Sequence, residues 1–334
     1  MELKPFSFEG FSMSIPKEWD VSTVKIAKEG TTIGIQDLER GRLEISWQVA
    51  GWKKAKDLAR RTGKPLEKKL LEPEEVAEKY HKDLKKKLKD LEYDDEMTQG
   101  KVDGHRAVIS RWEEAGQTGY EAIWYCGISD RYYYLRYVDG QGIDAFKVLL
   151  GSVVCHSSLP TTKWQYLGLD LELPRDYTID EQKAEVGKLT VVFYGHWELP
   201  RKKRGLASWL RPPPLPPPRV LVVSRWNLLR YGNSKLEDWT EAQAASLIKK
   251  YVGSCRKEPR EGEVQVNGHR AWFTVFSHGG GLLKKPSVYF SVYGWVCDVN
   301  ETAYVLINPL PLGERWGDLA GEPIPAPGYV HCHG

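Results

Sequence analysis

The sequence has few of the residues that mark a secreted scaffold or a membrane protein. Its 5 cysteines are an odd number without a CxxC motif, which argues against a disulfide framework or a zinc ribbon. No apolar run reaches the roughly 18 residues that a membrane-spanning helix needs. Residues 1–5 also lack the apolar region of a signal peptide. We therefore expect a soluble, cytoplasmic protein with no membrane partner.

The abundant residue types indicate a globular protein. Hydrophobic residues make up 41% of the 334 positions and charged residues 28%, and the length suits two domains better than one core. The 13 Trp and 17 Tyr often stand in alternating stretches, which favours strands whose rings fill a core. Plentiful Lys, Glu and Pro suit a thermophile. The net charge of +3 does not by itself indicate nucleic-acid binding.

The most visible identity in the chain is a repeated motif. Residues 102–107 read VDGHRA and residues 266–271 read VNGHRA, and residues 10–19 align without gaps on residues 168–177. Further aligned pairs are Cys126 with Cys297, Asp130 with Glu301, Tyr133 with Tyr304 and Leu135 with Leu306. The chain is therefore predicted to contain two copies of one unit. The predicted bounds are 1–160 and 161–334, the second with a basic polyproline insertion at 197–219 and an extended tail after Pro309.

Hydrophobic periodicity predicts the elements of each copy. Apolar residues three and four positions apart predict a helix that begins at Pro73, whose apolar face is Val76, Tyr80, Leu84, Leu88 and Leu91. Alternating residues predict the strands of the first copy at 11–15, 31–36, 43–49, 100–111, 121–126 and 132–138, before a closing helix at 143–154. The second copy is predicted to follow the same plan, with strands at 189–194 and 220–226 and a helix at 240–250. The predicted fold class is α+β, each copy being a mainly antiparallel sheet flanked by helices.

This order of elements resembles a known superfamily. The opening strand of each copy has alternating apolar residues, a proline and, three positions later, an aromatic residue, at 11–19 and 169–177. With the glycine turns at 102–107 and 266–271, each copy looks like a PsbP/Mog-type domain. That superfamily includes the photosystem II extrinsic protein, Ran-binding Mog proteins and bacterial DcrB lipoproteins. The resemblance implies a central antiparallel sheet with flanking helices and a non-enzymatic binding protein, and it carries over no ligand residues.

Several histidines could mark an active site, but none stands in a catalytic pattern. The pairs His105-Arg106 and His269-Arg270 could contact anions, yet their presence in both copies favours a structural role at a glycine turn. The loop that begins at His278 resembles an oxyanion loop, but the chain has no G-x-S-x-G serine. The hypothesis of an enzyme with an interdomain pocket, using His105, His269 or Glu301, ranks last among the functions that the sequence suggests. No catalytic residue is predicted.

Histidine and cysteine also occur side by side. The run His331-Cys332-His333 could bind a soft metal together with Cys155-His156 or with Cys255. Adjacent residues rarely all reach one ion, and an extended tail would need distant partners to complete a tetrahedral site. We therefore predict neither a metal site nor a cofactor.

Two basic features distinguish one copy from the other. The arm, residues 201–219, joins a basic cluster and a tryptophan to a proline run that must adopt polyproline II. Its candidate partner-binding residues are Arg201, Lys202, Lys203, Arg204, Trp209, Arg211 and Arg219. The segment 52–89 of the first copy is also basic, and its candidate phosphate contacts are Lys53, Lys54, Arg60, Arg61, Lys85 and Lys86. The alternatives are a disordered or packed loop for the arm and a solvated helix face for the lysines.

The leading hypothesis from sequence is a non-catalytic cytoplasmic interaction or scaffold protein. The duplicated features look structural, whereas the distinctive ones are basic or proline-rich. A protein partner bound through the arm is expected. The alternative is an RNA- or ribosome-associated protein, whose binding would weaken steeply with salt.

Overall fold

The chain divides into two compact units, Met1–Leu167 and Gly168–Gly334. The computed structural model describes residues 2–27, 29–52, 55, 70–94, 97–138, 142–157, 159–195, 219–232, 234–278, 288–310, 328 and 330–332. No helix within these ranges is long and apolar enough to cross a membrane.

The first unit consists mainly of antiparallel strands. Its elements in chain order are β1 (Leu3–Phe8), β2 (Phe11–Pro16), β3 (Asp20–Ala27), β4 (Gly30–Gln36), β5 (Gly41–Val49), α1 (Pro73–Lys87), β6 (Leu91–Tyr93), β7 (Thr98–Val102), β8 (His105–Glu114), β9 (Gln117–Cys126), β10 (Arg131–Val138), α2 (Ile143–Gly151) and β11 (Thr161–Tyr166). The large sheet has the order β3-β4-β5-β10-β9-β8-β6, and β7 also pairs with β8. A smaller group has the order β2-β1-β11, with both pairs antiparallel.

The second unit has a sheet of the same strand order. Its elements are β12 (Leu169–Pro174), β13 (Thr178–Glu185), β14 (Lys188–Gly195), β15 (Arg219–Asn227), α3 (Leu228–Tyr231), α4 (Leu236–Tyr251), β16 (Cys255–Val266), β17 (His269–His278), β18 (Val288–Cys297), β19 (Thr302–Pro309) and β20 (Val330–His331). The large sheet follows the order β13-β14-β15-β19-β18-β17-β16, and β12 pairs with β20.

Tight turns set the hairpins on which the candidate site depends. Between β7 and β8, Asp103 and Gly104 have φ of 49° and 77°, and between β16 and β17, Asn267 and Gly268 have φ of 50° and 80°. Positive φ at both central residues defines the type I′ turn, whose twist matches that of the flanking strands. Asp, Asn and Gly adopt this conformation most readily. The repeated motif is therefore a hairpin turn followed by the first residues of a strand.

Large aromatic rings fill the space beside both sheets. Trp124 stacks on Tyr133 with ring centroids 5.2 Å apart, and Trp295 stacks on Tyr304 at 5.0 Å. All four rings are fully buried. The prediction that alternating aromatic residues form the core is confirmed at these positions, because residues of one parity along a strand share a face.

The predicted helix begins at Pro73 as expected. The Glu72 amide donates to the Glu75 carboxylate at 2.9 Å, which satisfies one backbone group at the helix start. Val76 and Ala77 pack against Val108 and other apolar residues of the sheet. The helix ends at Lys87, earlier than the predicted apolar face, so Leu88 is its C-cap and Leu91 begins β6.

The α+β fold class predicted from sequence is wrong. The structure is mostly antiparallel β, with 60% strand and 17% helix and three helices longer than one turn among the described residues, rather than sheets flanked by helices. Edge strands account for much of the difference. The exposed side chains of β3, β13 and β16 are mostly polar or charged. Because edge strands are protected from aggregation by such residues, they lack the apolar alternation that predicts a strand.

Candidate metal centre

A histidine and a cysteine face each other across one hairpin of the first unit. His105 is the first residue of β8 and Cys126 is the last residue of β9. The two strands pair with Ala107 opposite Trp124. Continuing that register by two residues places His105 opposite Cys126, and directly opposed residues of an antiparallel pair share a face.

The next two donors come from the segment that follows α2. Val154 exchanges two backbone hydrogen bonds with Ser12 of β2, both of 2.8 Å. The Tyr133 hydroxyl donates to the carbonyl of Cys155 at 2.8 Å. These bonds fix Cys155 and His156 beside the hairpin, although α2 and its flanking residues separate them from it in sequence.

The four side chains form a compact set of metal donors, which we call the first cluster. One donor atom from each of His105, Cys126, Cys155 and His156 lies within 4.8 Å of all the others. The Nδ1 atom of His156 is 3.5 Å from the Sγ atoms of both Cys126 and Cys155. Zinc bonds of about 2.3 Å to sulfur and 2.0–2.1 Å to nitrogen, at tetrahedral angles, place sulfur and nitrogen about 3.6 Å apart. The cluster thus has the dimensions of a tetrahedral Cys2His2 site.

The first cluster is largely shielded from water. Cys126 and Cys155 are 0% and 1% exposed. The Nε2 atom of His105 is buried and has no hydrogen-bond partner among the described residues. An unsatisfied buried polar atom is costly, at about 1–3 kcal/mol, and calls for a specific explanation. His156 is 22% exposed and lines a surface groove with Ser12 and Ser157, which gives an ion access to the cluster.

The electrostatics of the first cluster favour a thiolate. The Cys155 thiol donates a hydrogen bond to the sulfur of Cys126, which lowers the pKa of Cys126 to about 4 and raises the pKa of Cys155. The Ser129 amide also donates to the Cys126 sulfur at 3.4 Å. Asp103 adds a carboxylate, whose Oδ2 atom accepts from the Cys155 amide at 2.9 Å and lies 3.3 Å from Nδ1 of His156. Thiolate is the form of cysteine that binds metals.

The second unit has a related set of donors, the second cluster. Donor atoms of His269, Cys297 and Cys332 lie within 4.8 Å of one another. Cys297 and Cys332 are 0% and 6% exposed, and burial together with a hydrogen bond to Cys297 raises the pKa of Cys332.

Three of the basic residues predicted to bind partners are described by the structure, and none of the three belongs to either cluster. Arg219 begins β15, where its guanidinium lies 4.7 Å over the ring of Tyr177 and 3.6 Å from a carboxylate oxygen of Asp176. Lys85 and Lys86 are exposed on α1, and Lys86 pairs with Asp83 at 2.8 Å. The other candidates lie outside the described residues: Lys53, Lys54, Arg60, Arg61, Arg201, Lys202, Lys203, Arg204, Trp209 and Arg211. Their roles stay predictions.

The arginines of the repeated motif are paired with acidic residues. Arg106 contacts Glu74 at the start of α1, and Arg270 contacts Glu263 on the neighbouring strand. These ion pairs give both arginines a structural role.

Sequence reasoning missed both clusters. It grouped the tail with Cys155-His156 or Cys255, whereas the structure places Cys155-His156 with the first hairpin and Cys332 with the second. The sequence nevertheless contains a pattern that could have indicated both clusters. In each copy a histidine follows the glycine turn and a cysteine ends the second strand after it, and further along the chain a Cys-His pair occurs at 155–156 and 332–333.

Comparison with known proteins gives structural similarities only. No family model and no curated protein matches the chain. The chain is similar to the solution structure of cyanobacterial PsbP (CyanoP) from Synechocystis sp. PCC 6803, at 13% identity and a TM-score of 0.33, over 46% of this chain and 91% of that one. It is also similar to a crystal structure from Bacteroides thetaiotaomicron VPI-5482, at 12% identity and a TM-score of 0.28, over 51% of this chain and 54% of that one. Neither similarity assigns a function to this chain.

Proposed function

We propose that this protein binds zinc through the first cluster and uses the ion to hold its fold together. Two thiolates and two imidazoles in a set of tetrahedral dimensions favour zinc over magnesium or calcium, which prefer oxygen ligands. Four protein ligands leave no open coordination position, which is typical of structural rather than catalytic zinc. The ion would join the segment after α2 to the β8–β9 hairpin. The protein would then be non-catalytic.

The buried Nε2 atom of His105 is the observation that carries this proposal. It has no partner among the described residues, and the same imidazole belongs to a set with two buried cysteines. A metal bond would use a nitrogen lone pair that no hydrogen-bond donor satisfies. Zinc would also balance the negative charge of a Cys126 thiolate, whose sulfur is buried.

Zinc content after exhaustive dialysis under reducing conditions tests the proposal. The Cys126→Ser variant should hold one zinc fewer per chain than the wild type. Cys255→Ser is the matched control, because this half-buried cysteine is outside both clusters. Wild-type protein without stoichiometric zinc, or a Cys126→Ser variant with the wild-type content, would refute the proposal.

We further propose that the chain comprises two tandem PsbP/Mog-type domains and binds a protein partner through the arm. β14 ends at Gly195 and β15 begins at Arg219, and these two residues pair directly. The corresponding strands β4 and β5 are joined by only residues 37–40. Because Gly195 and Arg219 lie opposite each other, replacing the residues between them by a short turn should preserve the sheet.

Deletion of residues 197–218 tests this second proposal. The variant, closed by a four-residue turn, should keep the wild-type circular dichroism spectrum and lose the partner that wild-type protein captures from native lysate. Capture is compared at low and high salt, with nuclease-treated lysate as a further sample. Unchanged recovery would contradict a role of the arm. Loss of all recovery after nuclease treatment would favour RNA over a protein partner.

A further inference from the structure

We infer that the second unit binds a copper(I) ion through the second cluster, with His269, Cys297 and Cys332 as its three ligands. Copper(I) is a soft ion that thiolates select, and three ligands in a plane satisfy it. The inference concerns another ion in another unit, so it does not depend on the zinc proposed for the first cluster.

Strand pairing places the first two donors side by side. His269 is the first residue of β17 and Cys297 is the last residue of β18. The strands pair with Ala271 opposite Trp295, and two more residues of that register place His269 opposite Cys297. Directly opposed residues of an antiparallel pair share a face. The sheet itself therefore brings one imidazole and one thiol together at the end of a hairpin.

The third donor is brought to this hairpin by a strand pair and two amide side chains. β20 pairs with β12, and Cys332 comes directly after β20. Nδ2 of Asn267, in the turn before β17, donates to the carbonyl oxygen of Val330. Nδ2 of Asn300, in the turn after β18, donates to the carbonyl oxygen of Cys332 at 2.5 Å. Hydrogen bonds to the backbone thus hold the sulfur of Cys332 beside the other two donors.

The spacing and the burial of the three donors fit a copper(I) site. One donor atom from each side chain lies within 4.8 Å of the other two. Metal bonds of about 2.0–2.3 Å to nitrogen and sulfur, at angles of about 120° in a plane, separate the donor atoms by about 3.8–4.0 Å. Cys297 and Cys332 are 0% and 6% exposed, so the surrounding protein restricts access of water and oxidants to both sulfurs.

Charge and ligand number favour copper(I) over zinc in the second unit. Asn267 occupies the turn position that Asp103 has in the first unit, so an amide replaces a carboxylate. A buried site with less negative charge favours an ion of charge +1 over one of charge +2. Sulfur provides two of the three donors here but two of four in the first cluster, and the softer set favours the softer ion. Structural zinc takes four protein ligands, whereas these three donors suffice for copper(I).

Anaerobic titration with copper(I) tests the inference, in competition with a copper(I)-specific chromophoric chelator and under reducing conditions. The Cys126→Ser variant, whose first cluster lacks a ligand, should bind one copper(I) ion per chain. The Cys126→Ser/Cys332→Ser variant should bind none. Cys126→Ser/Cys255→Ser is the matched control and should bind one, because Cys255 is outside both clusters.

X-ray absorption at the copper K-edge of the loaded Cys126→Ser variant should show two sulfurs and one imidazole nitrogen. Circular dichroism of each variant shows whether a loss of copper reflects a local change or unfolding. If Cys126→Ser does not fold, zinc-loaded wild type is compared with Cys332→Ser, which should bind one copper(I) ion fewer.

Equal copper(I) binding with and without Cys332, or none in competition with the chelator, would overturn the inference. A second cluster that retains zinc against excess copper(I) would overturn it as well, because the ion would then be zinc. The zinc content of the wild type and of Cys126→Ser tests the first cluster separately. Absence of zinc there would refute that proposal and leave the copper(I) result unchanged.

Discussion

The Nδ1 atom of His156 lies 3.5 Å from the Sγ atom of Cys126. The same nitrogen is 3.5 Å from the sulfur of Cys155 and 3.3 Å from the carboxylate of Asp103. One imidazole nitrogen offers either a single proton or a single lone pair, so it can make a strong hydrogen bond to only one of these three neighbours. A cation bound by the nitrogen and the two sulfurs would engage all three donor atoms at once, and this crowding adds to the support that the unpartnered His105 nitrogen gives the zinc proposal.

Removal of zinc should destabilise the protein. The metal-binding free energy of a structural site is also folding free energy, because the unfolded chain has no preformed site. A strong chelator should lower the Tm of the wild type and of Cys255→Ser by the same amount, and should lower that of Cys126→Ser by less. Scanning calorimetry with and without chelator measures the difference. Equal Tm values for wild-type protein in both conditions would count against a structural ion.

Asp103→Asn should weaken zinc binding at the first cluster. The Asp103 carboxylate accepts a 2.9 Å hydrogen bond from the backbone amide of Cys155 and thereby orients that segment. It also lies beside the imidazole of His156. Loss of such a supporting group costs about 10–100-fold in metal affinity. The turn itself should survive, since Asn267 occupies the corresponding turn with a φ of 50°.

Competition with a chromophoric chelator measures that affinity. The control is Asp94→Asn, because Asp94 is an exposed carboxylate paired with Arg111 away from the cluster. Equal zinc affinities for Asp103→Asn and the wild type would show that the carboxylate does not support the site.

A buried pair of hydrogen-bonded side chains, His81 and Glu121, should show strong coupling in the first unit. Glu121 is 1% exposed, faces Nε2 of His81 and accepts a 3.2 Å hydrogen bond from the Tyr93 hydroxyl. Burial, followed by the Glu121 charge, raises the pKa of Tyr93, so the phenol stays protonated as the donor. The corresponding residue in the second unit, counted back from the aligned cysteines, is Val292.

His81→Leu should therefore cost about 1–3 kcal/mol of unfolding free energy, because the buried Glu121 side chain keeps its hydrogen bond from Tyr93 but loses the one to His81. The His81→Leu/Glu121→Val double variant should recover part of that loss, since it removes both buried polar side chains. The free energies of unfolding of both variants and of Glu121→Val, measured with denaturant, complete a double-mutant cycle. Additive losses would mean that the two residues do not interact.

A substitution of Asp37, in the turn between β4 and β5, should change the free energy of unfolding by an amount that depends on pH. Backbone amides of Arg40 and Glu39 donate to the Asp37 carboxylate, which also contacts Arg42. These interactions, led by the Arg40 amide, lower the pKa of Asp37 to about 2. A depressed folded-state pKa stabilises the protein fully above the unfolded value of about 4, and the effect is lost as pH falls through the folded value.

Asp37→Asn should accordingly be less stable than the wild type at pH 7, and the difference should shrink as pH falls from about 4 to about 2. Urea unfolding along that pH series measures it. Glu39→Gln is the control, because its side chain is 82% exposed. A difference that stays constant with pH would mean that the Asp37 charge does not contribute.

Part of this fold could be predicted from the sequence because hairpin rules are local. The turn at Asp103-Gly104, the start of the helix at Pro73 and the buried aromatic strands all follow from short-range patterns. The polar edge strands, such as Thr178–Glu185, could not be found in this way, because their partners rather than their own residues place them in a sheet.

Only half of the first cluster could be predicted from the sequence. The hairpin register alone places His105 opposite Cys126. Cys155 reaches that hairpin through the backbone contact of Val154 with Ser12, residues far apart in sequence, so its position depends on the tertiary fold. The histidines and cysteines of the first cluster can all be read from the sequence, but sequence patterns do not show which of them lie close together in the fold.

X-ray absorption at the zinc K-edge of the wild-type protein tests the central claim most directly. The proposal predicts zinc bound on average by two sulfurs at about 2.3 Å and two imidazole nitrogens at about 2.0–2.1 Å, with no open position for water. A spectrum with only oxygen and nitrogen ligands would contradict it.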